Sequence, residues 1–358
     1  MDTVELAEAL TAIPSHGDET AAGEYVERWL TTRTDAVVER DEVGNVIARR
    51  NAGVTPSFAL VGHHDVVPPD EEQITECGEY VVERRDGRLY GRGTADMKGS
   101  LAAAMTAFRD AEPDCELVFA SFAGEEAGGV GCRAAIENGF APDYAIVGEG
   151  STGYSAADVT DVAIAHRGRR GTTVLAGGTA AHASEPAAGE NAIYKALDAI
   201  GKLRDMGVPE AEVLGHGLEG NVTVTEIGGG SAWNVVPERC SVTVDERTVP
   251  GERIDFASIE AIDGVSVRID DDLPPMACED AAFADAMRSA AGSAQRETPE
   301  HVVKPHSTDA GWLTRLAGTS CVVCGAAEPG EAHTASESVS VEVITRCADI
   351  YRRAAESL

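Results

Sequence analysis

Ser57-Phe58-Ala59-Leu60-Val61-Gly62-His63-His64-Asp65-Val66-Val67-Pro68 is an apolar run that passes without a spacer into a polar cluster. A short apolar run bounded by turn formers predicts a buried strand. Glu116-Leu117-Val118-Phe119-Ala120-Ser121-Phe122 repeats the pattern and leads into Gly124-Glu125-Glu126-Ala127-Gly128-Gly129. Tyr144 to Val147 predicts a third, shorter strand ahead of Gly148-Glu149-Gly150. The alanine-rich stretch Lys98 to Arg109 predicts a helix. So do the first 30 residues, where Val4, Leu6 and Leu10, then Ala21, Tyr25, Val26 and Leu30, recur at helical spacing. Strands alternating with helices, with polar side chains clustered just beyond the strand ends, predict an α/β fold. The expected architecture is an open mixed sheet with helices on both faces and a site at its carboxyl edge.

Two more motifs, Thr94-Ala95-Asp96-Met97-Lys98-Gly99 and Ala332-His333-Thr334, complete a set of five. Together they supply His63, Asp96, Glu126, Glu149 and His333, a mixed nitrogen and oxygen donor set suited to two divalent ions such as zinc, cobalt or manganese. Each motif alone has a plain alternative: a histidine at a strand end, an aspartate capping a helix. Glu125-Glu126 is sharper, because adjacent carboxylates directly after an apolar strand are costly without compensating charge. Their side chains diverge, so one is free to ligate while the other contacts bound water. Asp65, two residues after His63, is placed by strand alternation to orient that imidazole, with His64 directed away. Five such motifs in one chain point to a metal-dependent hydrolase.

From about Ala165 the pattern changes. Thr172 to Leu175, Asn221 to Thr225 and Cys240 to Val244 predict strands; Asn191 to Leu203 and Ile254 to Ile262 predict helices. This reads as a small α+β domain at 166–274 inserted into a larger one at 1–165 and 275–358.

The chain of 358 residues is long enough for two domains, and its 43% hydrophobic content fits a globular protein. No apolar run approaches the roughly 18 residues of a membrane span, and the start lacks a signal-peptide pattern, so a soluble cytoplasmic protein is expected. The formal charge of −32 is spread along the chain, which argues against nucleic acid as a partner. Only four of the 29 basic residues are lysines. That composition reads as adaptation to high salt, where charge is screened within about 3 Å at 1 M. Eight irregularly placed cysteines form no disulfide framework; Cys321-Val322-Val323-Cys324 lies in an apolar strand-like run and reads as two buried thiols.

In these motifs the chain resembles the zinc aminoacylase and carboxypeptidase superfamily, which includes acetylornithine deacetylase and succinyl-diaminopimelate desuccinylase. The likeness runs from about Glu5 to Glu342. It implies a zinc-peptidase-like catalytic domain, with 166–274 as a dimerisation or lid domain. It also implies that His63 and Glu149 bind one metal, that Glu126 and His333 bind the other, and that Asp96 bridges them. Glu125 matches the general base and Asp65 the residue orienting the first histidine. His182 matches a histidine that reaches the oxyanion from the partner subunit of a homodimer. Asn234 and Arg247 match positions that grip the substrate. The last motif departs from the usual His-x-x-Asn-Glu, with Ser336 in place of Asn.

Gly168-Arg169-Arg170-Gly171-Thr172 resembles a desuccinylase segment in which arginine meets a substrate carboxylate, and a guanidinium fork fits that group on physical grounds too. Ser307-Thr308-Asp309 resembles a substrate loop. The expected substrate is therefore N-succinyl-LL-2,6-diaminopimelate, a small molecule whose hydrolysis belongs to lysine biosynthesis. Acetylornithine or another N-acyl amino acid, or a dipeptide, is the alternative, and a non-catalytic metal-binding protein is disfavoured because no ligand or base is missing.

Overall fold

The computed structural model describes residues 1–358, and the chain divides into two compact units. The larger comprises Met1–Ala165, Met276–Lys304 and Thr308–Leu358; the smaller comprises His166–Pro275 and Pro305–Ser307. Pro305, which has no N–H to continue a ladder, ends the His301–Lys304 strand, and three residues there cluster with the smaller unit.

The larger unit is built on a nine-stranded mixed sheet. At its centre Glu116–Phe122, Ser57–His63, Tyr144–Val147 and Ser320–Val323 lie side by side and parallel. The antiparallel Val46–Arg50 and Val37–Arg40 extend one side. Phe58 to His63 and Leu117 to Phe122 are buried along their whole length, as expected of parallel strands covered on both faces. On one face lies a core that includes Val118, Ala120, Phe122, Cys132, Ala135, Ala310 and Leu313. On the other, the alanine-rich helix Gly99–Asp110 packs against Ser57–His63 and against the helices Thr3–Thr11 and Val341–Ala355. Its small side chains keep residues 99–108 buried without a gap. Cys321 and Cys324 are both buried free thiols. No helix is long and apolar enough to cross a membrane.

The register fixes where the site falls. His63 stands opposite Phe122, Val61 opposite Val147, and Val147 opposite Val323. The parallel strands therefore end together and deliver the polar motifs to one edge. Two motif glycines have a packing role there. A side chain on Gly62 or Gly148 would meet the Met97 methyl at 2.6 or 2.7 Å, so both strands are open only to make room for the residue that follows Asp96.

The smaller unit is a four-stranded antiparallel sheet, ordered Asn221–Gly229, Arg239–Thr248, Gly168–Gly177, Val265–Leu273. Helix Ala192–Asp205 covers its apolar face, with Val174, Ala196, Ala199, Val242 and Ile259 in the core between them. The helix expected over Ile254 to Ile262 is a single turn, Ala257–Glu260. The Asp255 carboxylate accepts the Ala257 N–H at 2.9 Å and starts the turn, and Gly264, with φ of 76°, redirects the chain into the next strand.

Candidate metal centre

His63 is the last residue of its strand, and its Nδ1–H donates to the Asp65 carbonyl oxygen at 3.0 Å. Nε2 is then the nitrogen left to face a cation. It lies 3.0 Å from Asp96 Oδ1 and 3.2 Å from Glu149 Oε1. His333 Nε2 lies 3.0 Å from Asp96 Oδ2 and 3.0 Å from Glu126 Oε1. Two triads result, His63–Asp96–Glu149 and Asp96–Glu126–His333, each with its donor atoms within 4.8 Å of one another. Asp96 belongs to both and offers a different oxygen to each. His333 is held at φ of 60°, a region that non-glycine residues rarely occupy and that recurs at functional sites.

The electrostatics select positive charge. Burial works against protonation of His63, yet Asp65, Asp96 and Glu149 outweigh it and hold the imidazole well above the usual histidine range. Asp96 and Glu126 push His333 up to about 10. Asp96, although buried, is held far below the usual carboxylate range by the two imidazoles. A tautomer fixed through Nδ1, a shared carboxylate and a strongly negative field make a donor set that fits two divalent ions.

The strand ends at His63, and Asp65, just beyond it, brings two oxygens near the His63 Nδ1. Its carbonyl takes the short bond to His63, while its carboxylate stands 3.4 Å away. That carboxylate also accepts the backbone N–H groups of Glu125 at 3.1 Å and Glu126 at 3.0 Å. Asp65 thus ties the strand carrying His63 to the turn carrying Glu126. The turn closes through Gly128 and Gly129 N–H bonds to the Glu125 carbonyl, both 2.9 Å. Gly129 has φ of 71° and no room for a side chain beside Trp312 and Asp309.

Glu125 points no oxygen at either imidazole. Burial, together with Asp309, Glu149 and Asp96, raises its carboxyl well above the ordinary range against the pull of His63. This is the environment of a group that takes up a proton. His64 is buried with Nδ1 2.8 Å from the Ser121 hydroxyl and belongs to the core.

The remaining candidates fall in two places. In the larger unit, Thr308 is buried and caps the Asp309–Trp312 turn, its hydroxyl accepting the Ala310 N–H at 3.2 Å. In the smaller unit, His182 pairs with Val235 across a short ladder, and the Ala183 N–H donates to the Asn234 carbonyl at 2.9 Å, so His182 and Asn234 are neighbours. The exposed His182 ring lies 2.6 Å from the Ser184 hydroxyl. Arg169 and Arg247 face each other across adjacent strands, paired with Asp271 and Asp245, both at 2.8 Å. Arg170 is buried against Glu246 at 2.6 Å and over the Phe256 ring, which leaves Arg169, 43% exposed in its side chain, as the available member of that pair. Ser307 is half-buried in the same unit.

Four residues near the candidate metal ligands carry no role in the sequence reading. Arg92 and Glu337 form a buried ion pair at 2.6 Å beside the Asp96 loop. Asp309 is buried with Oδ1 unpartnered and is pushed up to about 7 by burial and by Asp65 and Glu149, against His63. Lys304 is buried in the field of Glu149, Asp96 and Glu125, which opposes the downward pull of burial on its ammonium. Glu337 and Asp309 close motifs visible in the sequence; an isolated Arg92 or Lys304 gives no such signal.

The sequence profile of peptidase family M20/M25/M40 matches residues 59–357. A succinyl-diaminopimelate desuccinylase from a Caulobacter species is 29% identical, over 98% of this chain and 95% of the relative. An acetylornithine deacetylase from Myxococcus xanthus is 30% identical, over 89% and 84%. The crystal structure of aminopeptidase PepT from Bacillus cereus shares the fold, with a TM-score of 0.81 at 20% identity, covering 99% of this chain and 97% of that one.

Proposed function

The chain belongs to peptidase family M20/M25/M40, and from that premise we propose that it hydrolyses N-succinyl-LL-2,6-diaminopimelate to succinate and diaminopimelate. The observation that carries amide hydrolysis is Asp96, which presents one carboxylate oxygen to each of two candidate ligand triads. Two divalent ions, zinc in this reading with cobalt or manganese as substitutes, would polarise the scissile carbonyl and acidify water. His63, Glu149, Glu126, His333 and Asp96 would hold them. Glu125 takes one proton from the attacking water and delivers it to the leaving nitrogen as the carbon–nitrogen bond breaks. Asp65 fixes the backbone from which Glu125 projects.

The smaller unit completes the reading. His182 donates to the developing oxyanion from a second copy of the chain, with Asn234 beside it gripping the substrate. A homodimer through this unit would cover exposed apolar side chains there, such as Trp233, which is 95% exposed. The succinyl preference rests on Arg169 and Arg247, whose guanidiniums share one side of their ladder and suit a carboxylate that an acetyl group lacks. Ser307 and Thr308 are assigned to substrate binding by their motif. Lys304 has no carboxylate within ion-pair distance and supplies a further positive charge for an acidic substrate. The excess of acid over lysine supports a protein that works in a salt-rich cytoplasm.

Turnover of N-succinyl-diaminopimelate, N-acetylornithine and dipeptides, each assayed with zinc or cobalt at molar salt, tests the assignment. Preference for the succinyl substrate, lost in Arg169→Met, is expected. Faster hydrolysis of acetylornithine would move the protein to the deacetylase reading, and of dipeptides to the peptidase one.

A further inference from the structure

Between Gly93 and Gly99 the chain makes a distorted π-helical turn, Thr94–Lys98, in which Asp96 has φ and ψ of −126° and 93° and Met97 is also non-helical. Backbone N–H groups in buried, irregular segments need partners from elsewhere. Those of Ala95 and Asp96 both donate to Glu337 Oε1, at 3.0 and 3.2 Å. The other oxygen, Oε2, accepts Arg92 Nη1 at 2.6 Å. Glu337 and Arg92 are 1% and 2% exposed, so this is a buried, charge-balanced clamp rather than a surface ion pair. Arg92 Nη2 reaches Asp70 at 3.3 Å, a weaker contact at the rim.

Glu337 also lies four residues beyond His333. The turn between them closes through the Glu337 N–H to the Thr334 carbonyl at 3.2 Å, and Gln73 Nε2 holds that same carbonyl at 3.0 Å. The loop that supplies His333 therefore grips the backbone of Asp96. These are the two residues whose side-chain atoms meet at 3.0 Å in the second triad.

We propose that Glu337, with Arg92 as its counter-charge, is a positioning residue that sets the Asp96 backbone so that each Asp96 oxygen faces its own cation. The proposal rests on the reading of Asp96 as the shared ligand. A carboxylate is suited to the task because a single oxygen accepts two adjacent N–H groups while the second remains with the guanidinium. Removing such supporting partners of ligands weakens metal binding by roughly 10–100-fold.

Two charge-matched double variants separate positioning from mere burial of an ion pair. Arg92→Met with Glu337→Gln keeps an acceptor for the two N–H groups; Arg92→Met with Glu337→Leu removes it. Calorimetric titration of the metal-free proteins with zinc at molar salt is the readout, with urea unfolding run alongside. The Gln pair should bind two zinc ions within a few-fold of the wild-type affinities. The Leu pair should bind at least one of them 10–100-fold more weakly. Equal zinc binding by the two pairs would overturn the positioning role, whatever their stabilities. A wild-type protein that binds fewer than two zinc ions would instead sink the two-metal reading beneath it.

Discussion

Replacing Asp65 by alanine isolates the carboxylate from the carbonyl. The His63 Nδ1 bond runs to the backbone oxygen and survives the change. What is lost is the acceptor for two N–H groups, Glu125 at 3.1 Å and Glu126 at 3.0 Å, and the longer 3.4 Å contact of the carboxylate with His63. Asp65 is 5% exposed, so water does not readily replace it. A buried donor left without a partner costs about 1–3 kcal/mol, and two of them about 2–6 kcal/mol in unfolding free energy. Urea unfolding at molar salt should show that loss, and turnover should fall because the turn carrying Glu125, the proposed general base, is loosened. Zinc content, measured on the same samples, should fall less than turnover, since His63 keeps its orientation. An Asp65→Ala protein within 0.5 kcal/mol of wild type, taking ~0.5 as the usual scatter of neutral surface changes, would show that the two bonds carry little. Selective loss of one zinc with normal stability would return the carboxylate to the role of orienting His63.

Glu125→Gln should retain both metals by elemental analysis while losing roughly 10²–10⁴-fold in turnover, the usual worth of a general base; near-native turnover removes it from that role. His182→Ala should lower turnover by about 10²–10³-fold without loss of metal. Mixed with inactive Glu125→Ala chains it should regain activity, and exchange of chains with no recovery would refute a shared site. With a formal charge of −32, the melting temperature should climb between dilute buffer and molar salt as repulsion is screened; a flat response contradicts the salt-adapted reading.

The residues that meet at the candidate site were legible because buried parallel strands write continuous apolar runs, and a polar residue directly after such a run has few places to go. Ser57 to Gly62 and Glu116 to Phe122 announce both the strands and the sheet edge. The supporting layer was not legible, because it works through backbone atoms. Nothing in the letters around Asp65 says that its carboxylate serves the Glu125 and Glu126 amides, or that Glu337 serves those of Ala95 and Asp96. Arg169 and Arg170 are equivalent in composition, yet alternation turns Arg170 inward to Glu246, its ladder partner, and leaves Arg169 outside. The helix anticipated at 254–262 shows the opposite error: apolar spacing persists there, but Asp255 and Gly264 confine it to one turn.

Met97 gives the centre a built-in spectroscopic label. Its methyl group lies where the two absent side chains of Gly62 and Gly148 would be, between the strand that ends at His63 and the one that leads to Glu149. The chain has six methionines, so carbon-13 methyl labelling yields a spectrum sparse enough to assign by single substitutions. The Met97 resonance would follow cation loading from within the sheet, and it needs no probe attached to any ligand.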